Sequence, residues 1–140
     1  MSAPYLILGS GYTGHRVAQS LRALGRTVLE FRTQTHNGSL PFDILNPATH
    51  HHLTQALAPG ARVLYSLPVL RTPNGYQPTA PTAAPLLASS ARVVYLSTTG
   101  VYGDVHHVNE TMFCRNCGAA TVTALNTRTT SPLRISVAAA

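Results

Sequence analysis

Tyr5-Leu6-Ile7-Leu8-Gly9-Ser10-Gly11-Tyr12-Thr13-Gly14-His15-Arg16-Val17-Ala18 decides how this chain folds. Four apolar residues read as a strand, the glycines as a turn, and the residues after Gly14 as a helix. The spacing is G-x-G-x-x-G. In a phosphate-binding turn Gly9 permits the tight bend off the strand, Gly11 lets backbone approach a pyrophosphate, and Gly14 lets helix and strand pack closely. The phosphate sits at the helix N-terminus, where free N–H groups and the helix dipole favour negative charge. The alternative is an ordinary glycine-rich β–α turn with no ligand. The position between an apolar run and a helical pattern favours the dinucleotide reading.

Outward from this turn, Val17, Leu21 and Leu24 recur at helical spacing, so a helix is expected from about Gly14 to Leu24, stopped by Gly25. Thr27-Val28-Leu29-Glu30-Phe31-Arg32 is β-branched and apolar and makes a second strand parallel to the first, completing a βαβ unit. An acid near the end of such a strand bonds the ribose 2′-OH of NAD, whereas an arginine there accepts the 2′-phosphate of NADP. Arg32 holds the strand end and Glu30 lies two residues earlier on the same face. The pattern favours NADP over NAD without excluding the acidic reading, and a solvated strand-end arginine is the structural alternative.

Asn37-Gly38 signals a turn, and Leu40-Pro41-Phe42-Asp43-Ile44 is expected as a short edge strand. Asn46-Pro47 reads as an N-cap with proline at the first helical position, opening a helix through Leu57. His50, His51 and His52 fall on that helix. Neighbours on a helix point about 100° apart, so the three cannot all face one metal ion, and a solvated face is the better reading. Arg62-Val63-Leu64-Tyr65-Ser66-Leu67 is a buried fourth strand, the proline-studded segment from Arg71 to Pro85 a loop, and Leu86-Leu87-Ala88 a short helix. Arg92-Val93-Val94-Tyr95-Leu96 is the fifth strand, leading into Ser97-Thr98-Thr99-Gly100-Val101-Tyr102-Gly103.

The bulk properties narrow the function classes. The chain has 140 residues, one domain by length, with 10% charged residues and 44% hydrophobic ones. Its ten basic residues are all arginines, spread singly with no lysine, and the net charge is +6. Without a basic stripe or interleaved aromatics this argues against nucleic acid, though the charge favours phosphorylated small ligands. No apolar run approaches the roughly 20 residues of a membrane span, so a cytoplasmic protein is expected. Cys114 and Cys117 make no disulfide framework. No zinc or thioredoxin-like setting surrounds them, and no metal site is expected.

The glycine turn, the Asp43-Ile44 pair and Leu96-Ser97-Thr98-Thr99-Gly100-Val101-Tyr102-Gly103, taken together, resemble the NAD-dependent epimerase/dehydratase family of extended and atypical short-chain dehydrogenase/reductases. The resemblance covers residues 4–110. It implies an α/β fold, a Rossmann-like doubly wound parallel sheet of order 3-2-1-4-5. Residues 1–110 would be the NAD(P)-binding domain and 111–140 a tail. The family's pattern implies pyrophosphate at Gly9, Gly11 and Gly14, with Ser10, Tyr12 and Thr13 in the same turn. It puts the adenosine ribose or its phosphate at Arg32, the adenine amino group at Asp43, and Ile44 beside the adenine. Tyr65, Ser66, Leu67 and Ser97 would line the cofactor, and Thr98, with Thr99 as fallback, matches the catalytic Ser/Thr. The implied chemistry is hydride transfer on a carbonyl or nucleotide-sugar-like substrate.

The chain departs from the family downstream. Active members carry Y-x-x-x-K, because a phenol of pKa about 10 needs a positive neighbour to act as an acid–base at neutral pH. Here there is no lysine, no tyrosine after Tyr102, and only Thr123 near the matching position. Thr111 to Ala140 contains no acid and no clear amphipathic helix, and Leu133-Arg134-Ile135-Ser136-Val137 is a weakly supported sixth strand. The expectation is a chain truncated after about the fifth strand, or departing from its ancestral frame near Thr111. It is then either an NAD(P)-dependent enzyme of unusual kind or an inactive nucleotide-binding module or fragment.

Overall fold

A computed structural model describes residues 3–96 and 136–138. Strand β1 (Tyr5–Leu8) leads through the glycine turn into helix α1 (Tyr12–Ala23) and strand β2 (Val28–Arg32). Strand β3 (Leu40–Pro41), a single 3-10 turn (Pro47–Thr49) and helix α2 (His50–Ala56) precede strand β4 (Arg62–Tyr65). Strands β5 (Leu70–Thr72) and β6 (Gly75–Gln77), helix α3 (Ala80–Leu86), strand β7 (Arg92–Leu96) and strand β8 (Ser136–Ala138) follow. The main sheet has the order β3-β2-β1-β4-β7-β8, and every pairing in it is parallel. Counted along the chain within this sheet, the first five strands have the order 3-2-1-4-5, as the family resemblance implies. The sixth, β8, lies beside β7 in the region where a last strand is weakly signalled.

Alternation along the strands divides the core into two layers. Leu6 and Leu8 of β1, Phe31 of β2, Val63 and Tyr65 of β4 and Val93 of β7 point to one face. There Leu53 of α2, Ala80 and Ala83 of α3, and Leu87, Phe42 and Ile44 cover them. Ile7 and Val28 point to the other face, under Ala18, Val17 and Leu21 of α1. A parallel sheet covered on both sides explains why its strands read as near-continuous apolar runs. Among the described residues no helix is long and apolar enough to cross a membrane.

Three local expectations change. The edge strand stops at Pro41 instead of reaching Ile44. Phe42 N–H still bonds Arg32 C=O at 2.8 Å, but Asp43 Oδ1 then accepts from Leu45 N–H at 2.9 Å and turns the chain. The segment from Arg71 to Pro85 is not a loop. Its first part is an antiparallel hairpin, Leu70 opposite Gln77 and Thr72 opposite Gly75, with Pro73-Asn74 at the tip. Its second part is α3, with one proline in the first turn and Pro85 near the end. Pro73 sits at the hairpin tip and Pro81 in the first turn of α3, where the missing N–H costs nothing, while Pro85 lies inside the helix and removes one helical N–H near its end. The helix read at Leu86-Leu87-Ala88 is the end of α3, displaced by about a turn.

Phe31 and Phe42 are both buried, with ring centroids 6.2 Å apart in an edge-to-face arrangement. Truncating Phe31 to alanine removes an aromatic from the middle of the larger layer. Urea unfolding of Phe31→Ala should show a loss of about 3–5 kcal/mol. Leu24→Ala, at an exposed position, should stay within about 0.5 kcal/mol of the parent.

Candidate functional site: the glycine turn at the carboxyl edge of the sheet

The turn after β1 is fastened to both neighbouring strands. Gly9 and Ser10 N–H groups donate to Phe31 C=O at 3.1 and 3.2 Å, and Ser66 N–H donates to Leu8 C=O at 2.8 Å. Gly9 has φ +84°, and a Cβ there would lie 2.7 Å from the Ser66 carbonyl oxygen. At Gly14 a Cβ would lie 2.8 Å from the Gly9 carbonyl oxygen and 3.0 Å from Ile7 Cγ2. The protein's own packing therefore demands glycine at both positions. Gly11 is different: its φ is −77°, and a Cβ there would meet nothing within 4 Å. No feature of the described protein requires glycine at that position, and the space above it is open.

Gly11 is also the N-cap of α1, and His15 N–H makes the first helical bond, to Gly11 C=O at 2.9 Å. Among the described residues, the N–H groups of Tyr12, Thr13 and Gly14 have no backbone or side-chain acceptor. The first turn of the helix carries no acid. Unpaired N–H groups at the positive end of a helix dipole, beside open space, suit an anion. Tyr12 is exposed, its hydroxyl accepting from Arg16 at 2.9 Å.

Ser10 is placed otherwise than a ligand-facing residue. It is 2% exposed, its N–H is taken by Phe31, and its hydroxyl donates to Glu30. Glu30, 8% exposed, sits on the α1 face of the sheet in register with Ile7. Its Oε2 accepts from Ser10 and from His15 Nδ1 at 3.0 Å, and its Oε1 from Arg22 Nη1 at 2.5 Å. Burial alone would raise the pKa of Glu30, but the hydrogen bonds from Ser10, His15 and Arg22 and the Arg22 charge outweigh it and hold the carboxyl below its usual value. The acid left open as a ribose ligand is thus engaged beneath α1. Sequence reading missed this cluster, although His15 and Arg22 stand two turns apart on the helix face that also carries Ala18.

Arg32, half-buried, ends β2, and among the described residues the only ion pairs are those of Glu30 with His15 and Arg22. Asp43 lies two residues past the end of β3. Its carbonyl accepts from Asn46 N–H at 3.0 Å and from His50 Nε2 at 3.1 Å, and Thr49 Oγ1 accepts from its N–H at 2.9 Å. His50 also stacks near Phe42, and His51 donates to Ala48 C=O. Ile44 and Tyr65, expected beside a cofactor, have buried side chains. Both lie in the larger core layer, and Tyr65 donates its hydroxyl to Thr79 Oγ1 at 2.5 Å. Burial pushes the Tyr65 phenol well above its ordinary pKa. The Tyr65 side chain is turned inward by the alternation along β4, and that of Ile44 is buried from the turn that follows β3. Ser66 and Leu67 border Gly9 directly. Ser97, Thr98 and Thr99 follow β7 in the chain but lie outside the described residues, as do Cys114 and Cys117.

No protein-family model matches the chain, and no curated protein matches it. Solved structures do. MoeE5 in complex with UDP-glucose and NAD is 21% identical, with a TM-score of 0.62 over 97% of this chain and 52% of its own. A short-chain dehydrogenase/reductase superfamily protein from Agrobacterium tumefaciens with bound NAD is 18% identical, with a TM-score of 0.61 over 95% of this chain and 47% of its own. UDP-N-acetylglucosamine 4-epimerase from Bacillus cereus is 16% identical, with a TM-score of 0.57 over 89% of this chain and 54% of its own. The chain spans about half the length of these structures. At this level of identity the likeness establishes the architecture: the chain has the Rossmann-like, doubly wound parallel sheet found in NAD-dependent epimerases and short-chain dehydrogenase/reductases.

Proposed function

We propose that this chain binds a nicotinamide dinucleotide across the carboxyl edge of its sheet, as an epimerase/dehydratase-type protein. The single observation that carries this reading is Gly11. Its missing side chain serves no packing purpose in the protein and leaves room beside three unpaired N–H groups. A pyrophosphate fills that room, with Gly9 and Gly14 shaping the turn and the Gly11, Tyr12 and Thr13 main chain around it. Two of the structural neighbours hold NAD, which supports the same ligand class.

Arg32 stands where the adenosine ribose lies in such a site, and no described acid neutralises it. With Glu30 engaged under α1, the strand end offers a guanidinium rather than a carboxylate, which supports NADP over NAD. Asp43 is assigned to the adenine amino group. Ser66 and Leu67 are assigned to the cofactor wall, together with the main chain of Ile44 and Tyr65, and by the family resemblance Ser97 is assigned to the cofactor as well.

When bound, the nicotinamide supplies the hydride chemistry. Thr98, or Thr99, is assigned to hold the oxygen of a carbonyl or nucleotide-sugar-like substrate, a class supported by the UDP-glucose in one neighbour. A second reading, a nucleotide-binding module without turnover, is favoured by the absence of any lysine in the chain and of tyrosine beyond Tyr102.

Titration of the purified chain with NADPH and NADH, followed by nicotinamide fluorescence and thermal shift, tests the binding. Saturable binding at submillimolar concentration is expected, and its absence in a cooperatively folded protein overturns the reading. A panel of carbonyl compounds and UDP-sugars then separates an enzyme from a silent module.

Gly11→Ala should weaken dinucleotide binding at least about tenfold while changing the ligand-free melting temperature by only the few degrees that about 1 kcal/mol at a helix cap implies. Arg32→Ala should weaken NADPH by roughly 1.5–3 kcal/mol, the value of a hydrogen bond to a charged group, and leave NADH nearly unchanged. Equal losses for the two cofactors would remove Arg32 from the ribose site.

A further inference from the structure

The Glu30 carboxylate joins three pieces of backbone that a phosphate-binding turn needs held together. Ser10 belongs to the turn, His15 to the first turn of α1 and Arg22 to its last. Arg22 reaches further, donating from Nη2 to Val28 C=O at 3.3 Å. Both carboxylate oxygens are occupied, and the group sits in the same layer as Ile7, Val28 and Ala18.

A carboxylate so placed is a poor choice for stability alone. Removing it from water costs several kcal/mol, and an apolar residue of similar volume commonly serves a core as well or better. What the carboxylate supplies here is direction. The Ser10 hydroxyl is pulled toward β2 from below while the Ser10 N–H bonds Phe31 C=O, so the residue is fixed from two sides. The peptide planes that follow it, through Gly11 to Gly14, inherit that orientation.

We infer that Glu30 is a positioning residue for the phosphate-binding turn: through Ser10, His15 and Arg22 it holds the backbone from Ser10 to Gly14 so that the Tyr12, Thr13 and Gly14 N–H groups converge on one anion. This rests on the dinucleotide reading above. It adds that Glu30 takes no part in recognising the ribose, and that the turn is preorganised by a buried charge cluster rather than by its glycines alone.

The test compares the full-length chain with Glu30→Gln and Ser10→Ala, using two ligands that differ in the group concerned. ADP-ribose carries a pyrophosphate, and adenosine 2′-monophosphate does not. Loss of hydrogen bonds to a charged group should raise the Kd for ADP-ribose about tenfold or more in Glu30→Gln and by less in Ser10→Ala. Adenosine 2′-monophosphate should change by less than about twofold in both, a split that general destabilisation would not produce. Equal losses for both ligands would assign Glu30 to the adenosine end and overturn the inference, as would no loss for either.

Amide hydrogen exchange at Gly11 and His15 gives a readout without ligand. Faster exchange in Glu30→Gln supports the clamp, and unchanged exchange overturns it. If the unmodified chain binds neither ligand, the dinucleotide reading fails by itself and the exchange result still decides the clamp. Should Glu30→Gln not fold, Ser10→Ala carries the same comparison, because it removes one donor and leaves the Arg22 and His15 contacts in place.

Discussion

The contact between Gly9 and the Ser66 carbonyl governs the geometry of the whole carboxyl edge. With φ at +84° and no side chain, Gly9 brings the chain off β1 directly against the end of β4. Its N–H and that of Ser10 meanwhile stay bonded to Phe31 of β2. Three adjacent strands thus end at one level, and the following helix must start from the crevice between them. A Cβ at Gly9 would separate β1 from β4, and one at Gly14 would lift α1 off β1.

The two layers of the core divide the work. The layer under α2 and α3 is apolar and holds the largest buried side chains, including Phe31, Phe42 and Tyr65, so it supplies most of the cohesion. The smaller layer under α1 has few apolar residues and contains the Glu30 cluster directly beneath the glycine turn. A charge satisfied by three donors fixes relative orientation more sharply than dispersion contacts do, because each hydrogen bond has a preferred direction. The polar seam is therefore placed where the geometry of the turn matters and the apolar mass where it does not.

Much of the architecture is legible in the sequence because parallel strands buried on both faces are mostly apolar, and the runs at Tyr5–Leu8, Val28–Arg32, Arg62–Tyr65 and Arg92–Leu96 are so apart from Glu30 and the arginines at strand ends. The β5–β6 hairpin and α3 were not, since their prolines read as breakers when taken singly. Proline is compatible with a hairpin tip or the first turn of a helix, and only the register of the surrounding residues shows that it occupies such a place. Ile44 and Tyr65 are comparable. Spacing along the chain does not show that both side chains are buried, Tyr65 through the alternation along β4 and Ile44 from the turn after β3.

The sequence by itself determined the glycine turn, the parallel βαβ start and the arginine at the end of β2, and the strand order came with the family resemblance. The first three are local patterns of period and spacing, set by backbone sterics and by which residues must be apolar. Only the tertiary structure decided which of the three glycines has open space where a side chain would be, and that Glu30 is engaged beneath α1 while Arg32 makes no ion pair among the described residues. Both depend on distances between segments far apart in the chain: Gly9 to Ser66, and Ser10, His15 and Arg22 to Glu30. A side chain's surroundings are created by folding, and no spacing along the chain contains them.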